Sequence, residues 1–571
     1  MEKNVLSVAA PGNLRTDTLA GYPNPGKEIE VKLTLRRRQL TLEAAEPLNE
    51  ILSQPPHLRR YLSHAEVAAA TGGFAEDVAA VETYYATFDI RVKSRSLVLA
   101  TVTLAGTVAD FERAFRTQVA AYQTPNRVQF LATISPYKLP DSLLTVVAPS
   151  QPPQQPVRKE SRLPTPPPAP PQPPVEGLLA AAVAPPGYSP PELARAYQFP
   201  EDATGEGQVI GIVELGGKLN QNDLKQFFAE IGVKKPRIVE VGTAPPSTGT
   251  TELINNAEVA LDLQVAGALA PQAKLVVYYG TTLIEALQAA VSDEVNKPAV
   301  LSVSWAGSEY NYSAPEVEQM NLLLYQASLL GITVVAASAD HGAYNNLGFP
   351  NVSLPSSSPL VLGCGGTIPM LTDGALTSEV AWNELNGQAA SGGGYSHLYA
   401  LPHYQEQAVG RYPYQQAPMR GVPDVAADAS SVSGYRVVFG GQATVIGGTS
   451  GATPFVAALV ALLGEKLGYR LGYVNSVLYG FAGSQAFRPI TQGNNQLYAA
   501  APYWNPCTGL GSIVGTRLLQ LLQDLEQASR PTAQPEPEAE RESEPGLEPE
   551  SGSAPDAPQA SAPDAAEAAP E

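Results

Sequence analysis

The sequence predicts two folded domains of different class: a small α+β domain, then a larger α/β domain built on a doubly wound parallel sheet. Three observations carry this expectation. At 571 residues, with 44% hydrophobic and 16% charged content, the chain is too long for one ordinary core and apolar enough for a well-buried body. A stretch dominated by proline, from Pro149 to Pro191, divides it. Strand-like and helix-like segments alternate regularly only after that stretch.

Residues 1–27 mix charges with short apolar pieces and are expected to be flexible. They lack the continuous apolar run of a secretory signal, so export by the ordinary route is not supported, and no window approaches a transmembrane span. From Glu28 to Leu35, Ile29, Val31, Leu33 and Leu35 alternate as in a half-buried strand. Ser63-His64-Ala65-Glu66 is a capping box opening a short helix, and Ala75 to Ala86 reads as a second helix. Strands near Phe88–Val92 and Leu97–Leu104, a helix over Thr107–Phe115 and a strand near Val128–Thr133 complete a domain spanning 28–148. Residues 149–187 form an extended linker that proteases can reach, either a plain spacer or the tether of a removable segment.

The larger domain, 188–527, opens the alternation. Strands are expected at Val209–Val213, Arg237–Val241, Leu275–Tyr279, Val300–Ser304 and Ile332–Ala337. Helices are expected at Asp223–Ile231, Ala257–Leu269, Leu283–Val291 and Pro315–Leu330. The last segment, 528–571, is an acidic tail expected to be disordered; its stretch from Pro531 holds eleven acids and one arginine, which accounts for −10 of the net charge of −19. Such a balance argues against nucleic acid as a partner. Cys364 and Cys507 allow one disulfide at most and no zinc framework; two buried free thiols are the plainer expectation.

Gly447-Gly448-Thr449-Ser450-Gly451-Ala452-Thr453-Pro454 runs straight into an apolar helix. A hydroxyl at a helix start meets oriented N–H groups and the positive end of the dipole, which suits a nucleophile, although a capping turn has the same look. Histidine is the ordinary base for such a serine, and the chain has five: His57, His64, His341, His397 and His403. None lies in a Gly-His-Gly-Thr-His type turn, and Ser450 lacks the Gly-x-Ser-x-Gly elbow of an esterase. Carboxylates come next. Glu258 and Asp262 stand four apart on a nearly apolar helix and can share one proton, or they are two solvated acids near a helix start. Asp340 lies in the polar turn after the strand-like run Ile332 to Ala337; if protonated it can donate to an oxyanion, and otherwise it is a turn former before Gly342.

On these residues the chain, from about Tyr188 to Leu519, resembles the sedolisin family of serine-carboxyl peptidases, closest to the kumamolisin type. The resemblance implies a subtilisin-like fold, with Ser450 as nucleophile, Glu258 as general base, Asp262 as the acid sharing its proton, and Asp340 at the oxyanion. Ser304-Trp305-Ala306 looks like the substrate-pairing segment, with alanine where glycine is commoner, and the resemblance also assigns Gly393 and Gly394 to substrate binding. The small domain resembles the family's ferredoxin-like pro-domain, an intramolecular inhibitor, which favours a removable segment. Peptide or protein substrates, acid activity, secretion and a monomer are implied, with no membrane partner; an inactive peptide-binding relative is the alternative. The family's calcium site uses an acid in an Asp-Ile/Val pair and another before a Pro-Cys-Thr-Gly type turn, where this chain has Pro489 and Asn505, so that site is expected to be weakened or lost.

Overall fold

Alternation in the first domain produces a sheet with two unlike faces. In the strand Glu28–Thr34, Ile29, Val31 and Leu33 are buried while Glu28, Lys32 and Thr34 point outward. The apolar face packs on Val78, Val81 and Tyr85 of the helix Ala75–Ala86 and on Val108, Phe111 and Phe115 of the helix Val108–Phe115. The computed structural model describes residues 5–7, 18–38, 42–123, 129–135, 137–148, 187–412 and 418–529. The expected linker, apart from its last residue, and the acidic tail from residue 530 lie outside them.

The seven strands of this sheet follow the order Thr18–Gly21, Val119–Gln123, Gln129–Thr133, Val5–Ser7, Glu28–Thr34, Thr101–Thr107, Arg91–Ser96. The expectation that residues 1–27 are flexible throughout is therefore corrected. Val5–Ser7 runs parallel between two strands, and Thr18–Gly21 pairs with Val119–Gln123. A strand of three or four residues is too short to show a period, so only its tertiary partners reveal it. Two other strands begin later than expected because Asp89 (φ 64°) and Ala100 (φ 49°) take left-handed turn conformations just before them.

The same domain docks on the larger one. Leu48, Ile51, Val67 and Val98 join Leu287, Met320, Leu323 and Ala327 in one shared core. Tyr61 stands over Gly331 and Gly472, where an added Cβ would come within 2.4 Å of its ring and 2.2 Å of its hydroxyl oxygen, and that hydroxyl donates to the Leu471 carbonyl at 2.8 Å.

The larger domain carries a ten-stranded sheet. Its central order is Arg237–Val241, Lys274–Tyr279, Val209–Glu214, Val300–Val303, Thr333–Ala337, Leu362–Thr372, Val425–Asp428, all parallel, as the alternating pattern predicts. The chain leaves Val209–Glu214 toward one edge and returns to its other side at Val300–Val303. Carboxyl ends flanking such a switch point are where open α/β sheets collect ligand chemistry. The helix expected from Ala257 spans Gly249–Leu269, its first turns being largely exposed and so without an apolar stripe to read. The helix Thr449–Leu467 is the one described helix long and apolar enough to cross a membrane, and it is instead buried from Gly451 to Gly464 inside this domain.

One buried ion pair braces the sheet below the site. Arg420 and Asp424 are both fully buried and bidentate, at 2.9 and 2.6 Å, and Tyr479 and the Gly363 N–H also donate to Asp424, at 2.8 and 2.7 Å. Removing one partner strands the other's charge. Arg420→Ala is expected to destabilise the folded chain by about 3–5 kcal/mol, read as a large drop in urea midpoint; an unchanged midpoint would contradict this account.

Candidate active site

Three parallel strands end side by side, each delivering a polar group. Glu214 closes Val209–Glu214, Ser304 follows Val300–Val303, and Asp340 follows Thr333–Ala337. Two helices supply the rest. Glu258 and Asp262 project one turn apart from Gly249–Leu269, and Ser450 sits in the first turn of Thr449–Leu467. Those two helices pack against each other, which brings the predicted acids to the predicted hydroxyl.

Asp262 has no solvent exposure, and its oxygens lie 2.9 and 3.0 Å from Ser304 Oγ. Burial holds its carboxyl well above the usual range, helped by the Glu258 charge and opposed by the Ser304 hydrogen bond. Glu258 is pushed up to about 7 by burial, with the Ser450 hydroxyl bonding in the opposite sense and the Asp340 charge adding to the rise. Among the described residues its buried Oε1 has no hydrogen-bond partner. Ser450 is half-buried and donates to the Ser304 carbonyl at 3.3 Å.

Asp340 accepts from both the N–H and the hydroxyl of Thr449, each at 2.8 Å, which fixes one oxygen beside the start of the helix that carries Ser450. Its other oxygen reaches the turn only because residue 448 is glycine: an added Cβ there would lie 2.9 Å from Oδ2, and the φ of 94° disfavours any side chain. Ala339, with φ 87°, holds the preceding backbone in a costly conformation that aims Asp340 into the cleft.

No histidine contacts this cluster among the described residues. His341, next to Asp340, turns to the Gln388 carbonyl; His397 pairs with Glu309, and His403 with Glu406. His64 lies against the Val291 carbonyl, and His57 faces Tyr469.

Residues 18–152 match the Pro-kumamolisin activation domain, and residues 249–474 match the subtilase family. Kumamolisin from Bacillus sp. (strain MN-32) is 36% identical over 527 residues, covering 88% of this chain and 93% of that protein. The chain belongs to the sedolisin family. It is a serine-type peptidase zymogen of the sedolisin kind, with its activation domain in front. The structure of Pseudomonas sedolisin, a serine-carboxyl proteinase complexed with two molecules of pseudo-iodotyrostatin, is 28% identical with a TM-score of 0.54, covering 59% of this chain and 98% of that one. Tripeptidyl-peptidase 1 of Bos taurus is 31% identical over 263 residues, 41% of this chain and 45% of that protein.

Within this sedolisin framework one carboxyl escaped the sequence reading. Glu214 is fully buried, accepts from the Trp305 indole N–H at 3.0 Å and, among the described residues, leaves Oε1 without a partner. Burial, then the charges of Asp262 and Glu258, raise it well above the usual range. An acid closing the otherwise apolar strand Val-Ile-Gly-Ile-Val-Glu is the signal that could have found it. The same bond orients Trp305, expected at the substrate, while the Ser304 side chain turns inward to Asp262. Gly393 and Gly394 pack on backbone and rings: an added Cβ at Gly393 would come 2.0 Å from the Pro506 carbonyl, and one at Gly394 3.2 Å from the Tyr498 ring. Among the described residues no hydrogen bond joins them to Ser450, Glu258 or Asp262; their stretch reaches the site through Gly392, whose N–H donates to the Ala339 carbonyl at 2.7 Å. Cys364 and Cys507 are both buried and free.

Where the resemblance expects the calcium acids, Asn505 bonds its own loop. Asn505 Oδ1 accepts from the N–H groups of Cys507 and Thr508 at 3.0 and 3.1 Å, while Nδ2 donates to the carbonyls of Ile490 and Ala501 at 3.4 and 3.1 Å. Carbonyl oxygens that would face a cation face amide hydrogens instead, and Pro489 offers no carboxylate.

Carboxyls raised in the folded state make stability pH-dependent. The folded chain then binds more protons than the unfolded one, so this contribution is complete below the unfolded value and is lost as pH rises through the folded value. For Glu258 the window runs from 4.5 to about 7, and Glu214, Asp262, Glu379 and Asp428 act in the same direction. The melting temperature of the Ser450→Ala chain is expected to fall across that window. A flat or rising trend would sink this reading.

Proposed function

We propose that this chain is a serine-carboxyl endopeptidase that works in acid and matures by cutting its own linker. The convergence of Ser450, Glu258, Asp262 and Asp340 at one switch point, with every histidine turned elsewhere, carries the proposal. Ser450 Oγ attacks the scissile carbonyl and passes its proton to Glu258, whose negative charge Asp262 moderates by holding a proton. Asp340, protonated, donates to the oxyanion. Glu258 returns the proton to the leaving amine, and water then releases the acyl group by the same route.

Acid is required because a carboxyl donates a hydrogen bond only while it holds its proton. Cleavage of a denatured protein by the processed enzyme is expected to be greatest in acid and to decline toward neutrality; equal rates at both would refute the scheme. Internal cuts in a substrate blocked at both termini separate an endopeptidase from a tripeptidyl exopeptidase. No acid lies between His341 and Pro350, a stretch able to line the pocket, which favours apolar or neutral side chains at the cut; cleavage chiefly after arginine would overturn that preference.

By family resemblance the enzyme acts outside the cell, as a monomer. We also propose that its C-terminal loop needs no calcium, because the Asn505 carboxamide already satisfies the carbonyls there. Melting temperature is expected to be the same with excess chelator and with millimolar calcium; a rise of several degrees with calcium would contradict this.

A further inference from the structure

Ser450 and Ser304 exchange two hydrogen bonds. The Ser450 hydroxyl donates to the Ser304 carbonyl at 3.3 Å, and Ser304 Oγ lies 3.2 Å from the Ser450 carbonyl. The second bond has a cause in the sequence. Pro454, four residues on, has no N–H, so the Ser450 carbonyl lacks the partner that an α-helix would supply. The same Ser304 Oγ lies 2.9 and 3.0 Å from the two oxygens of Asp262.

A hydroxyl has one proton and two lone pairs, so Ser304 cannot donate to Asp262 and to the Ser450 carbonyl at once. While Asp262 is ionised, the Ser304 proton points to it. When Asp262 holds a proton, its O–H donates to Ser304, and Ser304 is free to donate to Ser450. The groups that set the state of Asp262 are Glu258 from the same helix and Glu214 from the neighbouring strand end; Asp340 acts on Glu258. Ser304 is 7% exposed, which keeps water from competing for the bond.

We propose that Ser304 is a positioning residue that ties the protonation of Asp262 to the placement of the nucleophile. This role rests on the serine-carboxyl reading above, and it differs from the substrate contact that resemblance assigns to the segment: the backbone of Ser304 remains available to a substrate while its side chain serves the enzyme.

The test compares wild type, Ser304→Ala and Ser304→Thr, each expressed as the full chain and processed in acid, by kcat, KM and the pH profile of kcat. Alanine is expected to lower kcat about tenfold to hundredfold with KM within about twofold. It should also move the limb toward neutral pH upward by about half to one pH unit, because ionised Asp262 loses the donor that stabilises its charge. Threonine, which keeps the hydroxyl, should restore most of kcat and the wild-type limb. An alanine variant with unchanged kcat and limb, or with only KM altered, overturns the role, as does a folded threonine variant as impaired as alanine. If alanine fails to melt cooperatively, the folded threonine variant decides alone: a wild-type limb supports the role and a shifted limb overturns it. An inactive wild type would remove the functional reading and this role together, whereas an active wild type with an unaffected alanine variant removes the role alone.

Discussion

Ser450→Ala is expected to abolish peptide hydrolysis and to leave the full-length chain intact on acidification. Removing a serine nucleophile costs on the order of 10⁶ in kcat where a base and an oxyanion site are built around it. Folding should survive. The side chain is half-buried, its hydroxyl reaches only the Ser304 carbonyl and the Glu258 carboxyl, and the helix behind it is held by a buried run from Gly451 to Gly464. The docked small domain should remain attached, because Tyr61 and the shared core do not involve Ser450. Mass spectrometry before and after incubation in acid reads the result. Wild type should yield a fragment cut between residues 149 and 187, and the variant should not. A pure variant that still cuts itself in the linker would exclude Ser450 as the nucleophile.

Asp340→Ala should lower kcat by about 10² to 10³ with little change in KM, the loss typical of a single oxyanion donor. The reasoning is geometric: Thr449 holds one Asp340 oxygen through two 2.8 Å bonds, leaving Oδ2 beside the glycine turn that precedes Ser450. Asparagine is the sharper probe. Its carbonyl can take the place held by Thr449, which presents the amide as a donor that needs no proton. Asp340→Asn should therefore keep more activity than alanine and lose less of it toward neutral pH. An alanine variant within about threefold of wild type, or an asparagine variant with the wild-type fall toward neutrality, would remove Asp340 from the oxyanion role.

Much of this site was legible in the chain because its residues stand at structural punctuation. Ser450 follows a Gly-Gly turn into an apolar run, and Glu258 and Asp262 interrupt an apolar helix at a spacing of four. Asp340 follows a continuous apolar strand; each is a local departure from a strong pattern. Glu214 was missed because a single acid at a strand end also reads as an ordinary loop start, and only its burial beside Asp262 gives it meaning. The inward turn of the Ser304 side chain was hidden for a similar reason: its partners lie 42 and 146 residues away. The short strands Val5–Ser7 and Thr18–Gly21 carry too few residues for any period to show.

By itself the sequence determined the two-domain plan, the parallel α/β class and the candidate reactive groups, because periodicity, proline content and residue chemistry are local properties of the chain. It also showed that a histidine base was missing from its usual motif. Tertiary structure alone decided which carboxyls are buried together, and so which are raised. It also decided how the small domain seats on Gly331 and Gly472 and where the hydroxyl of Ser304 points. Proton affinity and hydrogen-bond choice depend on what surrounds a group in space. Those surroundings come from strands and helices that meet only when the sheet is assembled.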